Sequence, residues 1–322
     1  MNLINIEAGM RTIFMALTAA LFSATVGAQH QFLVFGDMPY SPIDEALLTP
    51  PTGPLYQGVR QTPHHFIVHV GDIKAGAVAC TDHVLRGNYQ LLANLSERPF
   101  VYTPGDNDWT DCDRKGLSTR FDELERLSFV RKEFAVHTVA LPGYERQPEL
   151  PESQAWRIEQ VQYLTVHVVG TNNGRAQILK SHKKQALQAV KKRDQLNIQW
   201  LTRHADKDLT AMVVFFQADI FRSSSDKGVC SDNNRTCDGF AVYRQYLDKL
   251  AQHSDYPILV VHGDTSEFCF SQRQSQLWHL NAPGDFQVLD IAHVTVNVDS
   301  AQPFQVSPLL TNSAVPRCED DG

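Results

Sequence analysis

The chain repeats one local pattern, in which a short apolar run ends and an aspartate follows within a few residues, usually directly after a glycine. The pattern occurs five times, at Gly36-Asp37, Gly71-Asp72, Gly105-Asp106-Asn107-Asp108, Gln217-Ala218-Asp219 and Gly263-Asp264. Each preceding run has the length of a buried strand. Glycine before the aspartate permits a sharp backbone turn at the strand end.

Helical patterns separate these runs. Strands are predicted at 32–35, 65–70, 100–103, 161–169, 211–216 and 257–261. Helices, with apolar residues three and four positions apart, are predicted at 84–95, 120–134, 185–205 and 240–253. The order predicts a mainly parallel sheet flanked by helices and completed by antiparallel strands after residue 285. Loops at the carboxyl ends of parallel strands open into one crevice, so we expect the acidic strand ends to meet there.

Carboxylates gathered in one crevice repel each other. Two of them about 4 Å apart repel by roughly 4 kcal/mol at an effective dielectric constant of 20. A bound cation would offset this repulsion: oxygen donors suit Mg²⁺, Mn²⁺ or Ca²⁺, and sites that also contain His suit Zn²⁺ or Fe. A single Gly-Asp after a strand is a common turn or helix N-cap. Its repetition favours a divalent metal centre.

Other side chains beside the pattern have two interpretations. Tyr40 and Trp109 can complete the apolar core, and His69 and His167 alternate with apolar residues on strands, as core histidines do. His262 directly precedes Gly263-Asp264. The sequence leaves open whether His262 belongs to the core or to the site.

The N-terminus resembles a secretory signal peptide. Arg11 precedes the apolar stretch 12–26, and Val26-Gly27-Ala28 supplies the small residues of a cleavage site. The apolar run is shorter than the ~20 residues that span a bilayer, so we expect removal of 1–28, with translation starting at Met1 or Met10. The remainder, 29–322, is predicted to be a single domain with its core at roughly 31–300, and to have no membrane span.

Cysteine usage agrees with export. The six cysteines lack the paired CxxC spacing of zinc sites, and in an oxidising compartment they are predicted to form up to three disulfides. The sequence does not fix the connectivity; the favoured pairs are Cys230 with Cys237, Cys80 with Cys112, and Cys269 with Cys318. The formal net charge of −7, without a basic stripe, argues against a nucleic-acid backbone as the main partner.

Five blocks in this order resemble the calcineurin-like metallophosphoesterase superfamily. They are FGDMPY (35–40), VHVGDIKAG (68–76), TPGDNDWTDC (103–112), FFQAD (215–219) and VVHGDTSEF (260–268). The resemblance covers roughly residues 31–270 and is strongest to an exported bacterial branch, which implies a periplasmic or secreted protein. It also implies an α/β (α+β) fold, namely a β-sandwich flanked by helices in four layers, αββα.

The resemblance implies roles for particular residues. Asp37 is similar to the ligand of a first metal ion, Asp72 to the ligand that two ions share, and Asn107 to a ligand of the second ion. Asp108 is similar to the residue that assists the leaving group.

Histidines of the superfamily pattern are replaced in this chain. The replacing residues are Pro39, Gln217, Asp264 and Ser266. Asp264 is expected to offer an oxygen ligand, and the additional candidate site residues are Tyr40, Gln217, Asp219 and His262. The predicted cofactor is one or two divalent ions (Mn, Mg, Ca, Fe or Zn), and the oxygen-rich ligand set favours one.

The resemblance leaves two functions open. The first, which we favour, is an exported phosphoesterase that hydrolyses a phosphate ester of a small molecule or other phosphorylated ligand with a metal-activated water. The second is a non-catalytic periplasmic binding or scaffold protein that retains the fold. A hydrolase with a serine nucleophile is not supported, because the sequence contains no GxSxG elbow.

Overall fold

A computed structural model describes residues 29–176, 178–221, 228, 230–231 and 233–319. The predicted signal peptide, 1–28, lies outside the described residues. The strands are β1 (His30–Phe35), β2 (Phe66–His69), β3 (Phe100–Tyr102), β4 (Glu145–Arg146), β5 (Gln154–Ile158), β6 (Val161–Thr165), β7 (Ala211–Phe215), β8 (Ile258–His262), β9 (Cys269–Gln274), β10 (Leu277–Asn281), β11 (Ala292–Val296) and β12 (Phe304–Pro308).

The helical elements lie mostly between these strands. They are α1 (Pro42–Leu48), α2 (Pro54–Gln61), α3 (Asp82–Ala93), the 3₁₀ helices η1 (Asp106–Asp108) and η2 (Thr110–Asp113), α4 (Glu123–Phe134), the short turn α5 (Gly170–Gly174), α6 (Lys183–His204) and α7 (Ala241–His253). Side-chain caps begin several of them: Thr81 accepts from the Val84 N–H at the start of α3, and Asp122 accepts from the Glu125 N–H at the start of α4.

The strands form two sheets, whereas the apolar pattern by itself predicted one. The first sheet has the order β12-β11-β1-β2-β3, and the second has the order β4-β5-β6-β7-β8-β10-β9. Strands β1 to β3 are parallel, as are β6, β7, β8 and β10, and antiparallel strands complete both sheets. The central strands are apolar on both faces, so each sheet buries one face against the other sheet and one against helices.

The apolar core therefore has three parts: one between the two sheets, and one between each sheet and the helices on its outer face. Phe32 and Phe66 of the first sheet meet Trp156 and Phe215 of the second, with ring centroids 5.0 Å apart for Phe66 and Trp156 and 5.5 Å apart for Phe32 and Phe215. Helices α1 to α4 cover the outer face of the first sheet, and α6 and α7 cover the outer face of the second. This is the predicted αββα arrangement.

Three disulfides close the structure, and they are the three favoured pairs: Cys80–Cys112, Cys230–Cys237 and Cys269–Cys318. The first joins the loop after β2 to η2, and the last fixes the C-terminal segment to β9. Within the part of the chain that the structure describes, no helix has the length and apolar character needed to cross a bilayer.

Candidate metal centre

The acidic ends of β1, β2, β3 and β8 meet at one cleft of about 310 Å³. Its polar lining residues are Asp37, Tyr40, Asp72, Asp106, Asn107, Arg114, Asp264 and Asp285, with Phe286 at the rim. The two sheets thus bring together acids that are more than two hundred residues apart in sequence.

Three of the aspartates that directly follow a strand-end glycine share an uncommon backbone conformation. The φ angles of Asp37, Asp72 and Asp264 are 52°, 61° and 64°. Non-glycine residues seldom adopt this left-handed region, although Asp is enriched in it. The sharp turn that we predicted at the glycine is therefore made largely by the aspartate itself, and Gly71, with φ 105°, is the preceding glycine that shares in it.

A cluster of three carboxylates lies in the cleft. Asp72, Asp106 and Asp264 each place an oxygen within 4.8 Å of the other two. Gly170 makes this approach possible, because a Cβ at that position would lie 2.6 Å from Oδ2 of both Asp106 and Asp264. Three mutually close carboxylates are a ligand set for a divalent cation.

Asp106 is the site residue that the sequence analysis missed. We assigned the ligand role in the third block to Asn107, but the structure brings Asp106 into the cluster. Asp106 directly follows Gly105, and this Gly-Asp spacing, the same as at Asp37 and Asp72, was the signal for it. Asn107 also lines the cleft, and its Oδ1 is buried without a hydrogen-bond partner among the described residues.

Asp108 lies behind the cleft. Its Oδ2 accepts hydrogen bonds from the Asp72 N–H (2.9 Å), the Gly105 N–H (2.8 Å) and the Tyr102 hydroxyl (2.7 Å), and its Oδ1 accepts from the Ile73 N–H (2.9 Å). The side chain is fully buried. These bonds hold the loop after β2 against the loop after β3, so the position of Asp108 gives no support to the predicted contact with a leaving group.

Tyr40 belongs to the floor of the cleft. Its hydroxyl oxygen lies 3.1 Å from Asp37 Oδ1 and 3.2 Å from Asp72 Oδ2, and it accepts a hydrogen bond from Asn107 Nδ2 at 3.0 Å. Asp37 Oδ2 accepts from the Asp264 N–H at 3.1 Å. The predicted residues Asp37, Asp72, Asn107 and Asp264 are therefore linked through a few short contacts, with Tyr40 between them.

Gln217 faces the cluster with its nitrogen. Its Oε1 accepts from the Gly170 N–H at 2.6 Å, which directs Nε2 toward Asp72 Oδ2 (3.3 Å) and Asp106 Oδ1 (3.4 Å). Because the oxygen is engaged, Gln217 offers the cluster a hydrogen-bond donor and not a ligand oxygen.

Asp219 and His262 are outside the lining of the cleft. Asp219 Oδ1 accepts from the Phe221 N–H at 2.9 Å and lies 3.7 Å from His262 Nε2. The His262 ring is buried against His279, with centroids 5.7 Å apart. The structure thus places His262 in a buried position beside His279, outside the lining of the cleft.

Burial and mutual repulsion raise the pKa values of the clustered carboxyls. Burial raises the pKa of Asp37 to about 8, with repulsion from Asp285 adding to it. Burial, followed by the charges of Asp106 and Asp37, holds the pKa values of Asp72 and Asp264 well above their usual range. The metal-free site therefore favours protons, which a cation would displace.

Cations of the chain offset part of this charge. Lys74 is buried and donates to the Ala75 carbonyl (3.2 Å), and burial lowers its pKa. The Arg114 guanidinium lines the cleft and forms an ion pair with Asp111. Unlike Lys74, Arg114 is partly exposed, with 37% of its side chain accessible to solvent, so a ligand in the cleft can reach its guanidinium.

The turn α5 supports the cluster from one side. Thr171, Asn172 and Asn173 have φ of 53°, 56° and 55°, so the turn is left-handed. Such a conformation costs roughly 1–2 kcal/mol per residue. Thr171 Oγ1 donates to Asp106 Oδ2 and to Asp111 Oδ1, so Thr171 and Gln217 contact different oxygens of Asp106.

The donor set fits a hard divalent cation. It consists of three carboxylates, and oxygen donors of this kind suit Mg²⁺, Mn²⁺ or Ca²⁺. No His or Cys is among the described residues that line the cleft, and those are the ligands that Zn²⁺ prefers.

Comparisons with known proteins agree with the fold. No protein-family model matches the chain, and no curated protein matches it. Among solved structures, a dimetal phosphatase from Danio rerio matches with a TM-score of 0.51 and 10% identity, over 83% of this chain and 95% of that one. A 5'-nucleotidase from Candida albicans matches with a TM-score of 0.43 and 12% identity, over 86% of this chain and 51% of that one. The first likeness confirms the predicted calcineurin-like metallophosphoesterase fold.

Proposed function

We propose that the chain is a phosphoester hydrolase that works with a divalent cation held by Asp72, Asp106 and Asp264. The observation that carries the proposal is the buried three-carboxylate cluster at the strand ends. The fold that surrounds it is shared with a dimetal phosphatase. When bound, the cation would acidify an attacking water and stabilise charge on the phosphoryl group.

The chain's own residues would position the phosphate ester. Arg114, held by its ion pair with Asp111, would donate to a non-bridging phosphate oxygen, because a guanidinium matches the geometry of a phosphate. Gln217 Nε2 donates to Asp72 and Asp106 and would hold these two carboxylates in place. These neutral and positive donors would reduce the repulsion between the phosphate and the surrounding acids.

The rim of the cleft would contact the leaving group. Phe286 is 57% exposed and packs on the Tyr40 ring, with centroids 5.0 Å apart. Its φ of 60° is unusual for a bulky residue. The loop is held in place because the neighbouring Asp285 N–H donates to the Asp37 carbonyl at 3.1 Å. An apolar or aromatic leaving group fits this position better than a charged one.

One observation favours the second candidate function, a binding protein. With Asp108 fully engaged by backbone donors, the predicted proton donor for the leaving group is withdrawn from the cleft. A site with a cation, Arg114 and Gln217 but without such a donor would bind a phosphorylated ligand and not turn it over. We further propose that the chain is exported, to the periplasm or the medium, which the signal-like N-terminus and three disulfides support.

The test is hydrolysis of p-nitrophenyl phosphate and bis(p-nitrophenyl) phosphate by the disulfide-intact chain with Mn²⁺ or Mg²⁺. We expect nitrophenolate release from at least one ester and loss of that activity in Asp264→Asn. The exposed Asp206→Asn variant should retain it. Absence of turnover with either ion, together with calorimetric binding of inorganic phosphate, would support the binding protein instead. Absence of both would overturn both candidates.

A further inference from the structure

We infer that the cleft binds a single divalent ion and that the hydroxyl of Tyr40 fills the place where a second ion would lie. The inference rests on the proposed function for the presence of the first ion. Two groups of carboxylates share Asp72: one contains Asp106 and Asp264, and the other contains Asp37. The two groups differ in what lies between their oxygens.

Between Asp37 and Asp72 lies a phenol oxygen. It is 3.1 Å from Asp37 Oδ1 and 3.2 Å from Asp72 Oδ2. An ion bridging those two oxygens would need distances of roughly 2.0–2.6 Å to each. It would therefore occupy the volume that the Tyr40 oxygen fills.

Tyr40 is fixed in this place at three points. Asn107 Nδ2 donates to its hydroxyl at 3.0 Å, its ring packs on Phe286, and its backbone N–H donates to Asp44 Oδ2 at 2.7 Å. Moving the phenol out of the way would break the first of these contacts and disturb the second. The hydroxyl is consequently a part of the folded cleft rather than a mobile side chain above it.

Two of the positions that replace superfamily histidines offer no free ligand atom. Pro39 has no side-chain donor atom, and Ser266 Oγ donates to Asp285 Oδ2 at 2.5 Å. Asp37 Oδ2 already accepts from the Asp264 N–H at 3.1 Å. Around Asp72, Asp106 and Asp264, in contrast, three carboxylates converge, each with an oxygen within 4.8 Å of the other two.

The experiment measures metal content independently of activity. The mature chain, freed of metal and then dialysed against Mn²⁺, would be analysed by elemental mass spectrometry, calorimetry and electron paramagnetic resonance. We expect one Mn²⁺ per chain and the six-line spectrum of an isolated ion. Asp264→Asn should weaken the affinity by about tenfold or more, because it removes a carboxylate ligand, whereas Asp37→Asn should change it by less than about threefold.

Tyr40→Phe is the matched variant, since it keeps the ring and removes only the oxygen. It should admit a second Mn²⁺ between Asp37 and Asp72 at higher Mn²⁺ concentration, seen as a spin-coupled spectrum. Two ions in the unaltered chain would overturn the inference, as would loss of the ion in Asp37→Asn but not in Asp264→Asn. So would a visible charge-transfer band with Fe³⁺, which would make Tyr40 a ligand.

The inference and the proposed function fail in different ways. One bound ion without hydrolysis of either nitrophenyl ester would remove the hydrolase and leave the inference intact. Two bound ions with hydrolysis would do the reverse. A chain that binds no Mn²⁺ would overturn both.

Discussion

Asp106 and Asp108 are two residues apart, yet their replacement by asparagine should change stability in opposite directions. In the metal-free chain, Asp106 has an oxygen within 4.8 Å of Asp72 and Asp264 oxygens. Each ionised pair at that separation costs roughly 3.5 kcal/mol at an effective dielectric constant of 20. Since burial and the charge of Asp106 raise the pKa values of Asp72 and Asp264, proton uptake by these partners relieves part of that repulsion. We expect Asp106→Asn to stabilise the metal-free chain by about 1–2 kcal/mol.

Asp108→Asn should act through hydrogen bonds. The four groups that donate to Asp108 need two acceptor oxygens, and an amide supplies one oxygen and one NH₂. Even in the better orientation, the NH₂ would face the Ile73 N–H, leaving buried donors without acceptors at a cost of roughly 1–3 kcal/mol, and the remaining bonds would lose their charge assistance. We expect a loss of about 3 kcal/mol of unfolding free energy.

The assay is chemical denaturation of the oxidised chain in EDTA and again in saturating Mn²⁺, with Asp206→Asn as the surface control. Mn²⁺ should stabilise the unaltered chain and Asp108→Asn, provided the latter still folds, by similar amounts. It should stabilise Asp106→Asn less, because binding adds stability in proportion to the logarithm of affinity. The reasoning would be refuted if Asp106→Asn destabilised the EDTA-treated chain, or if Asp108→Asn left its stability unchanged.

Three further outcomes follow from the same contacts. Burial raises the pKa of Asp37 to about 8. The stability that protonated Asp37 contributes to the metal-free chain is therefore fully present below about pH 4 and is lost as the pH rises through 8. A Tm in EDTA that increased over this pH range would contradict the prediction. Arg114→Gln should raise KM for p-nitrophenyl phosphate by about tenfold. Phe286→Ala should raise KM for aryl phosphate but not for methyl phosphate. If steady-state kinetics showed that Phe286→Ala affects both esters equally, a contact between the rim and the leaving group would be excluded. Replacing Cys269 and Cys318 by Ser should lower the unfolding free energy by about 4 kcal/mol, since the disulfide closes a loop of 49 residues; denaturation midpoints test this, and an unchanged midpoint would contradict it.

The apolar periodicity was sufficient to predict the strands that carry the site. Predicted 65–70 is observed as Phe66–His69, and predicted 257–261 as Ile258–His262. The division into two sheets was not contained in that periodicity, because a strand that is apolar on both faces fits either arrangement. Only the resemblance to a known superfamily supplied it.

The sequence did not predict two features of the site, the position of Asp106 in the cluster and the orientation of Gln217, and each has a physical reason. The third block folds into the 3₁₀ helix η1, in which successive side chains point in different directions, so a shift of one residue exchanges Asp106 for Asn107. The orientation of Gln217 depends on its hydrogen bond from the Gly170 N–H. Gly170 is remote from Gln217 in sequence and lies in the segment that follows β6. Neither effect leaves a local pattern in the sequence.

Two of the disulfides lie beside the segments that hold the clustered carboxylates close together, namely η1 and the left-handed turn α5. Cys80–Cys112 joins the loop after β2 to η2, and the Cys80 sulfur is 3.4 Å from the Asn107 carbonyl oxygen. Cys237, of the second disulfide, has its carbonyl bound by Asn172 Nδ2 at 2.9 Å, which ties it to the left-handed turn. Both segments carry an energetic cost, one from carboxylate repulsion and the other from backbone conformation. Because a disulfide mainly limits the conformational freedom of the unfolded state, these two links offset part of that cost in the folded chain, and a bound cation would offset the carboxylate repulsion directly.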